Sequence, residues 1–334
     1  MFSIIQSTDT SYGILSSGLT EKTKFTFISS NSSFSECARN QHFFHHQNTI
    51  PDGCSSSEIS SCISISRTIL QGGETHSFLS CYFLSVSSSF PSGGALYLHS
   101  DSSADSTSLR VEHCLFDTCT VSNSVYPQGG GALYTDCGTL SVLCSVFISC
   151  ASACYGGGLF AYDKCRSSDV TLSTFINCSA GNGGGLQTFT GPTSSVNSCR
   201  FLSCVANRVG GGLYHDGEES YWIKITDSLF TDNYANYKIC SDTSETRGGG
   251  GFEDGRSNAY SFSCLFSFFT RNRAPYGVGN DISVLKNQHN NSPLTFCFTT
   301  TSRDSFWNNG SYVNTWLHKT IVDTNSFDYF SDSY

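Results

Sequence analysis

The sequence predicts an all-β chain wound as a single parallel β-helix, a solenoid of about eight rungs with N- and C-terminal caps. Three observations carry this. Gly-Gly-x-Leu recurs at Gly130, Gly156, Gly183 and Gly210, at intervals of 26, 27 and 27 residues. Between the runs stands Phe-x-x-Cys, at Phe147–Cys150, Phe175–Cys178 and Phe201–Cys204. The residues flanking each Phe recur by type. Self-similarity at a fixed period is the signature of one unit stacked many times.

The flanking columns describe the interior. Aligning the aromatic gives Phe78, Phe116, Phe147, Phe175, Phe201, Phe230 and Phe269. Upstream by five residues stand Val111, Val142, Val170, Val196 and Ile225, β-branched as a buried strand prefers. Small residues lie two positions before each Phe: Cys114, Ser145, Ser173, Cys199 and Ser228. After it by three come Cys119, Cys150, Cys178, Cys204 and Asn233. Such columns arise when each turn lies directly on the last, about 4.8 Å away, so that like side chains stack into ladders.

The glycines precede a hydrophobic column of Leu96, Leu133, Leu159, Leu186, Leu213 and Phe252. A phosphate-binding loop would need a following helix and usually a Lys. Here each run opens a strand, so the glycines are read as tight corners with positive φ and close backbone approach. Extra length falls after Phe-x-x-[Cys/Asn], with loops at 86–91, 121–128 and 236–247. The last two would flank a flatter face, the usual place for binding on a solenoid. In the final rung Asn280 is placed in the Leu column, and Leu294-Thr-Phe-Cys-Phe supplies a last strand.

These readings divide the chain into an N-terminal cap and irregular first coil (1–58), the β-helix (59–300) and a C-terminal cap or tail (301–334). Phe34-x-x-Cys37 is a degenerate first copy of the repeat, and His42, His45 and His46 are read as a surface loop, without the further ligands a metal site needs.

Composition narrows the function. The hydrophobic share of 38% and the 26 Phe suit a large core, while charged residues make up only 13%, about half the usual share. The net charge of −9 and the lack of a Lys/Arg cluster exclude nucleic acid and anionic membrane as expected partners. No stretch is apolar enough to insert in a membrane, and Met1 to Thr10 does not read as a secretory signal. Localisation is left open: cytoplasmic as written, secreted or surface-bound if a leader precedes it. Seventeen cysteines, many at repeat-equivalent positions, read as small core residues rather than a disulfide framework or zinc site.

The paired GGA[LIV] and FxxN motifs resemble the repeats of polymorphic membrane proteins, in a Cys-rich style similar to protist versions. GGAL stands at Gly93 and Gly130, and FxxN at Phe230–Asn233 and Phe269–Asn272, with the likeness running over about residues 60–285. The resemblance implies a right-handed parallel β-helix of the pectin lyase-like kind and a role at a cell surface. The chain departs from it where Cys replaces most of the FxxN asparagines.

Parallel β-helices also carry polysaccharide lyases and glycoside hydrolases, so carboxylates matter. Acidic residues follow the Leu-Tyr strand at Asp136, Asp163, Asp216 and Asp254. Adjacent rungs would bring Asp136 and Asp163 within about 5–8 Å, from stacking near 4.8 Å. The row drifts in register, and turns attract Asp for local hydrogen bonds. It is therefore read as turn chemistry or a weak Ca²⁺ or sugar site, with no catalytic residue, cofactor or other metal assigned. The expected function is a non-catalytic module for surface adhesion or recognition of a protein or glycan. The alternatives are a carbohydrate-active enzyme acting through Asp136 and Asp163, and an intracellular structural scaffold.

Overall fold

The computed structural model describes residues 57–60, 63–64, 68–71, 75–90, 92–99, 107–122, 129–136, 138–162, 165–189, 193–216, 222–236, 250–257, 261–274, 281–286, 294–300, 306–308 and 316–317. All pairing between their strands is parallel, in sheets of 17, nine and six strands. The molecule is a parallel β-solenoid. One turn shows the plan. Gly138–Leu143 and Val146–Ile148 form its first side, Ala151–Ser152 the second and Leu159–Ala161 the third. Leu159–Ala161 pairs residue for residue with Leu133–Thr135 below it and Leu186–Thr188 above. The six-stranded sheet makes six turns complete on all sides among the described residues, somewhat fewer than about eight. Strands Phe306–Asn308 and Trp316–Leu317 carry the pairing past residue 300 on the other two sheets.

Three corners turn the chain, and each is a column of left-handed backbone. The glycine corner holds Gly93, Gly130, Gly156, Gly183 and Gly210, as their spacing predicts. Close approach also explains the second glycine of each run, since a Cβ at Gly157 would lie 2.1 Å from the Gly184 carbonyl oxygen. The other two corners use residues with side chains. His113, Cys144, Leu172, Ser198 and Asp227 form one column, and Thr118, Ser149, Asn177, Ser203 and Asp232 the other. Left-handed backbone costs an L-residue roughly 1–2 kcal/mol. It is tolerated here because the corner amides stay in the inter-turn ladder, as in Cys144 N–H to Thr171 O (3.1 Å) and Ser149 N–H to Ile176 O (2.8 Å).

The core is a set of stacks. Phe83, Phe116, Phe147, Phe175, Phe201, Phe230 and Phe269 stack with ring centroids 4.7–4.9 Å apart and planes within 8°. Burial of each ring contributes about 1.5–3 kcal/mol, and each aromatic contact about 0.5–1.5 kcal/mol more. The first member is Phe83, a correction to the alignment on Phe78. Phe78 pairs with Val111 and so belongs to the β-branched column, while Phe83 pairs with Phe116. With Phe83 as reference, the extra length assigned to 86–91 disappears, and Ser87–Ser88 is an ordinary strand of the six-stranded sheet. A second correction falls in the last rung. Ile282, not Asn280, pairs with Phe252 and occupies the Leu column.

The small-residue columns are hydrogen-bonding ladders. At one corner, backbone N–H groups donate to the side chain one turn on: Cys114 to Ser145 Oγ, Ser145 to Ser173 Oγ and Cys199 to Ser228 Oγ, all at 3.1 Å. At the next, the Cys150, Cys178 and Cys204 thiols donate to the Phe116, Phe147 and Phe175 carbonyls at 3.5–3.6 Å. Asn233 and Asn272 make the same bond by Nδ2 to Phe201 and Phe230, at 2.9 and 3.0 Å. Cysteine thus does the work of the motif's asparagine. Ten described cysteines are free thiols, while Cys144 is disulfide-bonded. A smaller apolar cluster of Tyr82, Leu115, Val146 and Ile148 packs on the outside of the same sheet.

Cys178→Asn should therefore leave unfolding stability within about 1 kcal/mol of wild type, because the amide keeps both hydrogen-bonding roles. Cys178→Asp should cost about 3 kcal/mol or more at neutral pH, since a buried carboxylate cannot donate to the Phe147 carbonyl. Chemical denaturation of the two variants would expose a failure as equal midpoints. Phe266 is 70% exposed with φ of 53°. Phe266→Gly should raise stability by about 1 kcal/mol by removing left-handed strain, read as a higher denaturant midpoint.

Candidate functional site

Side chains alternate faces along each strand of the nine-stranded sheet. Leu133 and Thr135 point into the solenoid, so Tyr134 and Asp136 point out. Register extends this into two outward rows. The first is Tyr97, Tyr134, Phe160, Gln187 and Tyr214. The second, one step further along each strand, is His99, Asp136, Tyr162, Phe189 and Asp216. Its backbone repeats too, through Tyr162 N–H to Thr135 O (2.7 Å), Phe189 N–H to Ala161 O (2.7 Å) and Asp216 N–H to Thr188 O (2.9 Å).

These rows build an aromatic stripe. Tyr97 stacks on Tyr134 with centroids 5.3 Å apart, Tyr134 meets Phe160 edge-on at 5.6 Å, Phe160 meets Tyr162 at 5.3 Å, and Tyr162 meets Phe189 at 5.4 Å. Tyr134, Phe160, Gln187 and Tyr214 are buried, whereas Tyr97, His99, Tyr155, Tyr162, Phe189 and Asp216 are half-buried. The stripe is a floor with a partly exposed aromatic rim.

At one end sits a polar pair. His99 Nδ1 lies 2.5 Å from Asp136 Oδ2, with 38% of the His99 side chain and 7% of the Asp136 side chain exposed. Burial, the adjacent Asp136 charge and a hydrogen bond to that carboxylate hold the Tyr134 proton in place well above the usual phenol range. Asp136 therefore anchors two neighbours, the Tyr134 hydroxyl and the His99 imidazole. Such a carboxylate sets a histidine's tautomer and aims its other nitrogen outward.

The four acidic residues singled out by sequence take different places. Asp136 is the buried anchor just described. Asp163 lies outside the described residues, as do His42, His45 and His46. Asp216 is in the Asp136 row but three turns away, about 14 Å at about 4.8 Å per turn. Asp254 pairs with His215, in the alternate column that also holds Thr135, Ala161 and Thr188. A one-residue drift along a strand moves a residue to the other column, so Asp216 and Asp254 do not share a row. The His99–Asp136 pair escaped the sequence reading, although aligning Leu96 with Leu133 brings the two residues side by side.

His215 belongs to the interior. Its Nδ1 is 2.8 Å from Thr188 Oγ1, the ring is fully buried, and Nε2 has no hydrogen-bond partner among the described residues. Burial pushes its pKa down from 6.5 to about 4. Thr188 and His215 have no surface for a substrate to reach. Among the described residues no group of three or more His, Cys, Asp or Glu side chains is placed to hold a metal ion. Nor is any helix among them long and apolar enough to cross a membrane.

No protein-family model, curated protein or solved structure matches the chain. What the fold and the site define is a class, the parallel β-solenoid with an aromatic-lined outer face.

His215 should make stability depend on mild acid. The unfolded chain binds its proton near pH 6.5 and the native state only near pH 4. The contribution is complete above about pH 6.5 and is lost as pH falls to 4, by about 3 kcal/mol at about 1.36 kcal/mol per unit. Unfolding free energies across that window should fall by this amount more in wild type than in His215→Gln; parallel curves would contradict the assignment.

Proposed function

We propose that the protein is a non-catalytic recognition module of the surface-adhesion type, which holds an extended glycan along the aromatic stripe. The observation behind this is the unbroken run Tyr97–Tyr134–Phe160–Tyr162–Phe189, laid along the solenoid axis with its rim half-exposed. Aromatic surfaces with a few convergent polar groups are the usual lining of a ligand groove. A stripe repeating turn by turn offers successive ligand units similar contacts, and the half-buried His99 and Asp216 supply polar partners beside it.

One observation favours a second reading, a β-helix carbohydrate-active enzyme. The half-exposed His99 held by Asp136 has the arrangement of a general acid or base, an imidazole oriented by a carboxylate. This reading moves the chemistry from the Asp136 and Asp163 pair to His99, with Asp136 as the residue that positions it.

A glycan array followed by titration separates the two. Recognition requires that Tyr97→Ala and Tyr162→Ala each weaken binding about tenfold, in keeping with about 1.4 kcal/mol per contact, while wild type leaves any bound glycan intact. Cleavage of a bound glycan by wild type, lost in His99→Ala, would establish the enzyme instead. An array without a single bound glycan would remove both readings.

A further inference from the structure

Cys119, Cys150, Cys178 and Cys204 occupy one corner position in four successive turns. The strands on either side of that corner are in register, with Asp117, Ile148, Ile176 and Leu202 aligned before it and Thr120 aligned with Ala151 and Ser179 with Val205 after it. All four side chains are fully buried free thiols. Each thiol has the next as a side-chain neighbour along the column, Cys119 with Cys150, Cys150 with Cys178, and Cys178 with Cys204. The result is a line of sulfur atoms parallel to the solenoid axis.

That line is poorly shaped for disulfides. In-register stacking separates equivalent Cβ atoms by about 4.8 Å, beyond the roughly 3.5–4.5 Å a disulfide spans. The stacked rings of the adjacent Phe column, 4.7–4.9 Å apart, keep the turns from closing that gap. The line also cannot make a zinc cage, which takes four ligands at tetrahedral corners. It does fit a cation held by two sulfurs in a straight line. Two metal–sulfur bonds of about 2.3 Å, the Zn–S length, laid end to end span about 4.6 Å.

We propose that this thiol column is a binding site for soft monovalent cations of the Cu(I) and Ag(I) class. One cation sits between Cys119 and Cys150 and a second between Cys178 and Cys204. At each site two S–H bonds break, two protons leave to solvent, and two sulfur–metal bonds form without change of oxidation state. Each bis-thiolate unit carries one negative charge, and the Cys150 backbone N–H that hydrogen-bonds to the Cys178 sulfur remains to stabilise it. Thiolate selects soft d¹⁰ cations over hard ones.

The test uses the full chain and Cu(I) supplied under argon as its bicinchoninate complex. The comparison is the double variant Cys150→Asn/Cys178→Asn, which removes both sites while keeping the corner chemistry that Asn233 and Asn272 already supply. Wild type should take up two more Cu(I) per chain than the variant, release about two protons with each, and melt at a higher temperature once loaded. Zn(II) should show no such difference between the proteins. Equal Cu(I) stoichiometry, or a Zn(II) difference as large, would overturn the proposal. If the Asn variant melts below wild type before loading, Cys150→Ser/Cys178→Ser gives the same comparison with the hydroxyl used at the neighbouring corner.

Discussion

Each residue of this solenoid lies about one strand spacing from its own counterpart in the next turn, and that translation governs what the chain can contain. A side chain at an interior position must stack on a copy of itself or on something of similar shape. Phenylalanine does so through nearly parallel rings and leucine through like apolar surfaces. Cysteine and asparagine do so through a donor and an acceptor that chain from one turn to the next. A charge cannot stack on its like without repulsion, which fits a sequence with half the usual share of charged residues. Where charges do meet, signs alternate, as when Arg271 forks onto Asp232 one turn away with bonds of 2.7 and 2.8 Å.

The corners extend the same constraint to the backbone. Turning the chain three times per rung requires left-handed residues, and only one corner is given to glycine. The other two place Ser, Thr, His, Asp, Asn and even Leu and Phe in that conformation. Two ladders next to these corners hold the strain in place. Seryl and thiol side chains catch the backbone amides of one, and thiols and amides cap the phenylalanine carbonyls of the other. Strained backbone and hydrogen-bonded side chain recur together in every complete turn, so the strain is repeatedly compensated.

Much of this was legible in the sequence because periodicity reports translation directly. The Leu, Val, Phe and Cys columns could be written down before any geometry was known. The misplaced members are those where one residue type serves two columns. Phe78-x-x-Cys81 spells the motif, yet its Phe fills the β-branched column and its Cys the small one, because both are apolar enough for either. The left-handed Ser, Thr and Leu corners carried no signal, since nothing in those side chains marks positive φ as glycine does. The candidate site was only partly legible. Asp136 stood out as an acid after a strand, but its meaning came from His99, 37 residues earlier in sequence and one turn away in space.

Turns of 26 or 27 residues with matched upper and lower surfaces make length an adjustable quantity. Duplicating one such segment would offer each flank the neighbour it already has, so the array could grow without redesigning a core. The outer stripe would lengthen by one aromatic step, while its chemistry at every other step stayed as it was. A molecule built this way behaves as a graduated rule, with reach along an extended ligand set by copy number and the character of each contact set by the single repeat.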